Sequence, residues 1–182
     1  MRRLTRKLAL LRRRWRRDED GATAVEFAII AMVFFWLFIG IVEIGMMMIF
    51  NSGLEDGVAR AGRMIRTGQV QNGGLSAAQF RDKICDQVVL KTSCKSRLIV
   101  DVQKFPDFAH IGTLTEPTLD KTGKLTAPSN FVPGSAKQVV VVRAFYDWKF
   151  FTPLIGQLMS NIGGNRFLLS VATTFRNEPY GG

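Results

Sequence analysis

The chain of 182 residues contains one histidine and two cysteines, and this shortage narrows its chemistry. Four-coordinate zinc draws its ligands from several cysteines and histidines. Cys85, Cys94 and His110 make a poor set for it, so neither a metal nor a cofactor is expected. A serine or cysteine nucleophile working through histidine would depend on His110 alone. That residue lies in a stretch, 105–136, that carries four of the six prolines, away from any nucleophile motif. The chain also lacks a G-x-x-x-x-G-K-[ST] string, which excludes direct use of ATP through a P-loop. No catalytic residue is assigned, and the chain reads as a non-enzyme.

Charge is missing as well, over one particular span. Residues 27–42 (FAIIAMVFFWLFIGIV) hold no charged side chain. Counted from 22 to 50, the apolar run is interrupted only by Glu26 and Glu43, and it exceeds the roughly 20 residues a helix needs to cross a bilayer. The basic residues sit in front of it: MRRLTRKLALLRRRWRRDED carries nine Lys and Arg against three acids, +6 of the total +10. Clustered arginine can bind nucleic acid phosphates, but an apolar span follows here rather than a DNA-reading helix, so no nucleic acid partner is expected. By the positive-inside rule the N-terminus is cytoplasmic and the larger C-terminal part is exported. A conventional signal peptide has its small-residue cleavage site after the apolar core. Here Gly21, Ala22, Thr23 and Ala24 come before it.

The two glutamates of the span need separate treatment. Glu26 lies four residues past Ala22, about 6 Å along a helix, so it can reach back to the headgroups. It can also serve a function with a partner, as intramembrane carboxylates commonly do. Glu43 lies 21 residues past Ala22, about 32 Å along a helix and near the outer hydrocarbon boundary. It is either an interfacial residue or a contact with another subunit's helix, where Gly40 and Gly45 would allow close approach.

The hydrophilic leader ending in Gly21, the small residue Ala22, Glu26 at the fifth position after the glycine and the apolar helix beyond resemble the processing region of type IV prepilins and pseudopilins. More narrowly, GATAVEFAII, the later IVEIG and the terminal FRNEPY resemble the TadE-like proteins of the tight-adherence (Flp) pilus system. The resemblance implies a leader, 1–21, removed by a dedicated prepilin peptidase between Gly21 and Ala22, with Glu26 as the required fifth residue. One departure is Phe27, where related pilins often carry tyrosine. It also implies a bacterial inner-membrane protein with its C-terminal domain in the periplasm. The partners would be membrane lipid, the peptidase, other pilins or pseudopilins and the proteins of the assembly platform. Cleavage would create an ammonium on Ala22, and a neighbouring subunit's Glu26 would pair with it strongly at low dielectric. Glu26, Gly40, Glu43 and Gly45 are thus the candidate subunit-packing residues. The competing reading is a membrane-tethered periplasmic scaffold or binding protein that keeps its leader.

Beyond the transmembrane helix, 22–50, the stripe Met47, Asn51, Leu54, Val58, Ala61 and Ile65 continues at helical spacing, predicting an extramembrane extension over 51–66 that packs on one side. The exported domain, 67–182, opens with TGQVQNGG, a break. Ser76 then caps a helix in which Phe80, Ile84 and Val88 share a face. Strands are predicted at 97–105, 137–148 and 166–175, with a short helix between the last two and a surface loop over 105–136. The fold class is α+β: a long N-terminal transmembrane helix and a small pilin-like domain with an antiparallel sheet and helices on one face. An even cysteine count in an exported domain predicts a Cys85–Cys94 disulfide.

Overall fold

The uncharged run and the amphipathic stripe merge into one helix, α1 (Asp20–Arg66). The computed structural model describes residues 20–120 and 123–180; most of the expected leader, 1–19, lies outside them. The chain divides into two units, Met1–Val42 and Glu43–Gly182.

In the described part of the first unit, residues 20–42 are helical and apolar nearly all round, with Val25, Phe27, Ile30, Met32, Phe34 and Phe38 exposed. A helix with no polar face suits a membrane or a large core. By length and composition α1 qualifies to cross a bilayer.

The second unit is built on residues 43–66 of α1, where the pattern changes to a single apolar face. Met47, Phe50, Leu54, Val58, Ala61 and Ile65 are buried, while Glu55, Asp56, Arg60 and Arg63 stay exposed. Beyond α1 come α2 (Gln69–Gly73), α3 (Ala77–Cys85), α4 (Lys91–Arg97), β1 (Ile99–Phe105), a 3-10 turn (Phe108–Thr113), β2 (Thr118–Leu119), β3 (Leu125–Thr126), β4 (Val139–Lys149), α5 (Pro153–Met159) and β5 (Arg166–Arg176). The main sheet is antiparallel in the order β1-β4-β5. It sets Val142 opposite Val102 on one side and Thr173 on the other.

Central strand β4 is buried on both faces, which explains its run of valines. Because successive side chains alternate, Val140, Val142, Ala144, Tyr146 and Trp148 join the core shared with α1. There the Phe50 ring meets those of Tyr146 at 4.4 Å and Trp148 at 5.4 Å between centroids. Val139, Val141, Arg143 and Phe145 belong to the opposite face. The sequence predicts a surface loop over 105–136; the described residues of the segment are exposed or half-buried apart from Leu125, and the segment also covers that face and one sheet edge. Val102 pairs with Asn130 and Val132 through backbone bonds of 2.8 and 2.9 Å, and the Arg143 guanidinium donates to the Thr115 carbonyl at 2.9 Å. Arg143 also stands directly across from Asp101 in the ladder, and the two form a buried ion pair at 2.7 Å.

Ser76 caps α3 as expected, in a reciprocal box with Gln79, which satisfies amide donors that a first helical turn leaves unbonded. The expected helix ends early, at Cys85, and α4 follows, a helix the sequence reading omits. Cys85 and Cys94, both buried, form the disulfide that joins α3 to α4. The α3 end approaches α1 at two glycines. A Cβ on Gly57 would lie 2.5 Å from the Ile84 carbonyl oxygen, and one on Gly53 would lie 2.8 Å from that of Gln87. Only glycine permits this backbone-to-backbone contact.

Candidate functional site

The segment that carries the processing motif is the start of α1. Gly21, Ala22 and Glu26 are all exposed. Ala22 and Glu26 are four residues apart and therefore share a helix face. Among the described residues no hydrogen bond or ion pair engages the Glu26 carboxylate, and nothing lies within 4 Å of where a Gly21 side chain would project. The start of α1 is thus open to an external partner. Gly45 is equally open, with nothing within 4 Å of a would-be Cβ. Gly40, by contrast, is buried, and it lies five residues from Gly45, about 140° around a helix of 3.6 residues per turn, so the two do not form one stripe.

Glu43 differs from Glu26 in being 5% exposed. Its carboxylate accepts hydrogen bonds from the backbone amides of Phe151 and Thr152, the second at 3.0 Å. These two amides fall between the end of β4 and α5, whose first residue, Pro153, has no N–H to offer. A carboxylate fits there because amides entering a helix lack intrahelical acceptors. Glu43 therefore has partners inside its own chain, which neither sequence reading of it includes. The partners are 108 and 109 residues away, and no local pattern marks such a pairing.

The terminal FRNEPY string acquires a structural role. It leaves β5 and returns to the end of α1, where the Glu178 amide donates to the Arg66 carbonyl at 2.9 Å and the Glu178 carboxylate meets Arg66 at 3.1 Å. The Tyr180 ring lies over Gly68, whose φ of 77° and lack of a side chain make room for it: a Cβ there would come within 2.6 Å of the ring. Asn177 and Gln71 both donate to the Tyr180 hydroxyl, at 3.0 and 2.7 Å. Burial raises the pKa of that hydroxyl, and the two donated bonds offset the rise only in part. Asn177 additionally donates to the carbonyls of Pro133 and Ser135. The string thus latches together the helix end, the sheet end and the covering segment.

His110 sits on the 3-10 turn, 2.6 Å from Asp107. Asp107 also accepts from the backbone amides of Ala109 and His110, so its carboxylate caps the turn. The His110 side chain and these bonds hold its pKa below the usual value. Among the described residues no group of three or more His, Cys, Asp or Glu side chains is placed to hold a metal ion. A groove beside α4 is lined by Arg81, Arg97, Lys124, Ser129 and Asp147, charges of both signs that select neither an anion nor a cation.

Comparison with known proteins bears on the N-terminal part. The family model described as TadE-like protein matches residues 21–63, in agreement with the resemblance carried by GATAVEFAII. The match starts at Gly21 and lies wholly within α1, so the sheet and its covering segment fall outside it. No curated protein and no solved structure matches the chain.

Proposed function

We propose that the chain is a minor pilin or pseudopilin of a Tad/Flp pilus, anchored in the bacterial inner membrane by α1 with Glu43–Gly182 in the periplasm. Its role is structural: it packs against other pilins, pseudopilins and platform proteins during pilus assembly. The observation that carries this reading is the TadE-like match beginning at Gly21, with Glu26 at the fifth position after that glycine and exposed at the start of α1. The prepilin peptidase cuts between Gly21 and Ala22. Subunits then meet through Glu26, paired with a neighbour's Ala22 ammonium, and through close approach at the open Gly45. The Glu43 carboxylate serves the fold of its own chain, which leaves the neighbouring helix surface for packing.

Processing gives the test. Gly21→Trp places a bulky side chain where the peptidase must accept the residue before the cut, so this variant should keep its leader in cells that process the wild type. A mobility shift on immunoblots of membrane fractions reads the difference. Identical leader-bearing mobility of wild type and variant would overturn the proposal in favour of an uncleaved tethered scaffold.

A further inference from the structure

We propose that the segment 151–158 seats on the outer surface of the membrane, with Phe151, Leu154 and Leu158 entering the lipid headgroup and acyl boundary. The inference rests on the membrane-anchored reading of α1. Three large apolar side chains are exposed within these eight residues: Phe151 at 86%, Leu154 at 49% and Leu158 at 76%. Leu154 and Leu158 are four apart on α5 and share a face, while Ile155 and Met159 pack toward the core. The core therefore does not account for the outward residues.

Glu43 says what covers them. It is the residue at which the uncharged run of 27–42 ends, about 32 Å beyond Ala22 by helical rise, which matches the thickness of the bilayer's hydrocarbon core. The Phe151 and Thr152 amides are bonded to its carboxylate, so Phe151 is held at the level where α1 leaves the hydrocarbon. Met46, Met48 and Ile49, one turn further along α1, are exposed as well. The exposed Lys149, two residues before Phe151, suits anionic headgroups. Apolar side chains with a basic neighbour at this depth form the pattern of an interfacial helix.

The test uses the full chain in phosphatidylethanolamine/phosphatidylglycerol vesicles, with the native disulfide intact and a nitroxide placed in turn at Phe151→Cys, Leu154→Cys and Leu158→Cys. Collision with oxygen, which concentrates in lipid, is compared with collision with a water-soluble nickel chelate. Val89→Cys is the control for an apolar residue exposed elsewhere in the domain, and Phe34→Cys is the control for the span. The expected result is an oxygen-to-nickel ratio several-fold higher at 151, 154 and 158 than at 89. Ratios equal to that of 89, with a lipid-like value at 34, would overturn this inference alone. Low collision with both reagents at 151–158 would show coverage by protein and overturn it too. A water-like value at 34 would reject the membrane anchor and this seat together.

Discussion

Asp101 and Arg143 show what one pair of residues does for the domain. Both are buried, and their ion pair is completed by Asn130 and Gln103, which donate to Asp101, and by the Thr115 carbonyl, which accepts from Arg143. Burial pushes the Asp101 carboxyl up, but the Arg143 guanidinium and the donated bonds outweigh it and hold the group below its ordinary value of 3.8. A depressed folded-state value means the contribution to stability is full above about 3.8 and is lost as pH falls from there through the folded value. Asp101→Ala strands the Arg143 charge in a buried site, so it should cost about 3 to 5 kcal/mol, measured by urea unfolding at neutral pH. The wild type should lose that advantage over the variant in acid. The disulfide makes a second residue-scale case. Replacing both Cys85 and Cys94 by Ala releases a short loop from the unfolded chain and should cost about 2 to 3 kcal/mol in the same assay. An even cysteine count in a domain expected to be exported made the disulfide legible from sequence. The Asp101–Arg143 pair was not, because its members are far apart in the chain and meet only once β1 and β4 are in register.

At the scale of elements, the difference between two kinds of glycine can be tested. Gly57 faces the Ile84 carbonyl at a distance no Cβ tolerates, whereas a Cβ at Gly45 meets nothing within 4 Å. Gly57→Ala should therefore force α3 away from α1 and destabilise the domain by about 1 to 3 kcal/mol. Gly45→Ala should be neutral or stabilising by up to about 1 kcal/mol through helix propensity. Comparing the two unfolding midpoints checks both. The same contrast explains which elements the sequence discloses. Helix α1, the Ser76 cap and strands β1, β4 and β5 have periodic apolar residues or local capping chemistry, and they occur where expected to within a few residues. Helix α4 (KTSCKSR) has neither. Its buried residue is Cys94, and the disulfide holds it in place, so its sequence carries no helical stripe to read. The proline-rich segment 105–136 is tied down by backbone bonds to β1, polar bonds to Arg143 and Asn177 and the single ring contact of Phe131 with Phe80, which leave no periodic apolar pattern. Of the candidate site, Gly21, Ala22 and Glu26 were legible from a local motif, while the bonds of Glu43 and the latch formed by FRNEPY depend on long-range closure.

For the whole molecule, the question is whether α1 serves assembly. The Glu26 carboxylate is exposed in the first unit, and among the described residues no hydrogen bond or ion pair engages it. Glu26→Gln removes the charge at nearly constant size, so the domain should fold as before while recovery of crosslinked pilus partners falls, provided that processed protein is compared on both sides. Equal recovery would return Glu26 to an interfacial carboxylate. Pairing of Glu26 with the Ala22 ammonium needs the new N-terminus of a mature chain, and the most direct measurement is the intact mass of the protein extracted from its native membranes without reduction. The expected species begins at Ala22, lacks residues 1–21 and weighs two hydrogens less than its reduced form, as one internal disulfide requires. A species that retains Met1 and the leader arginines would contradict the pseudopilin reading.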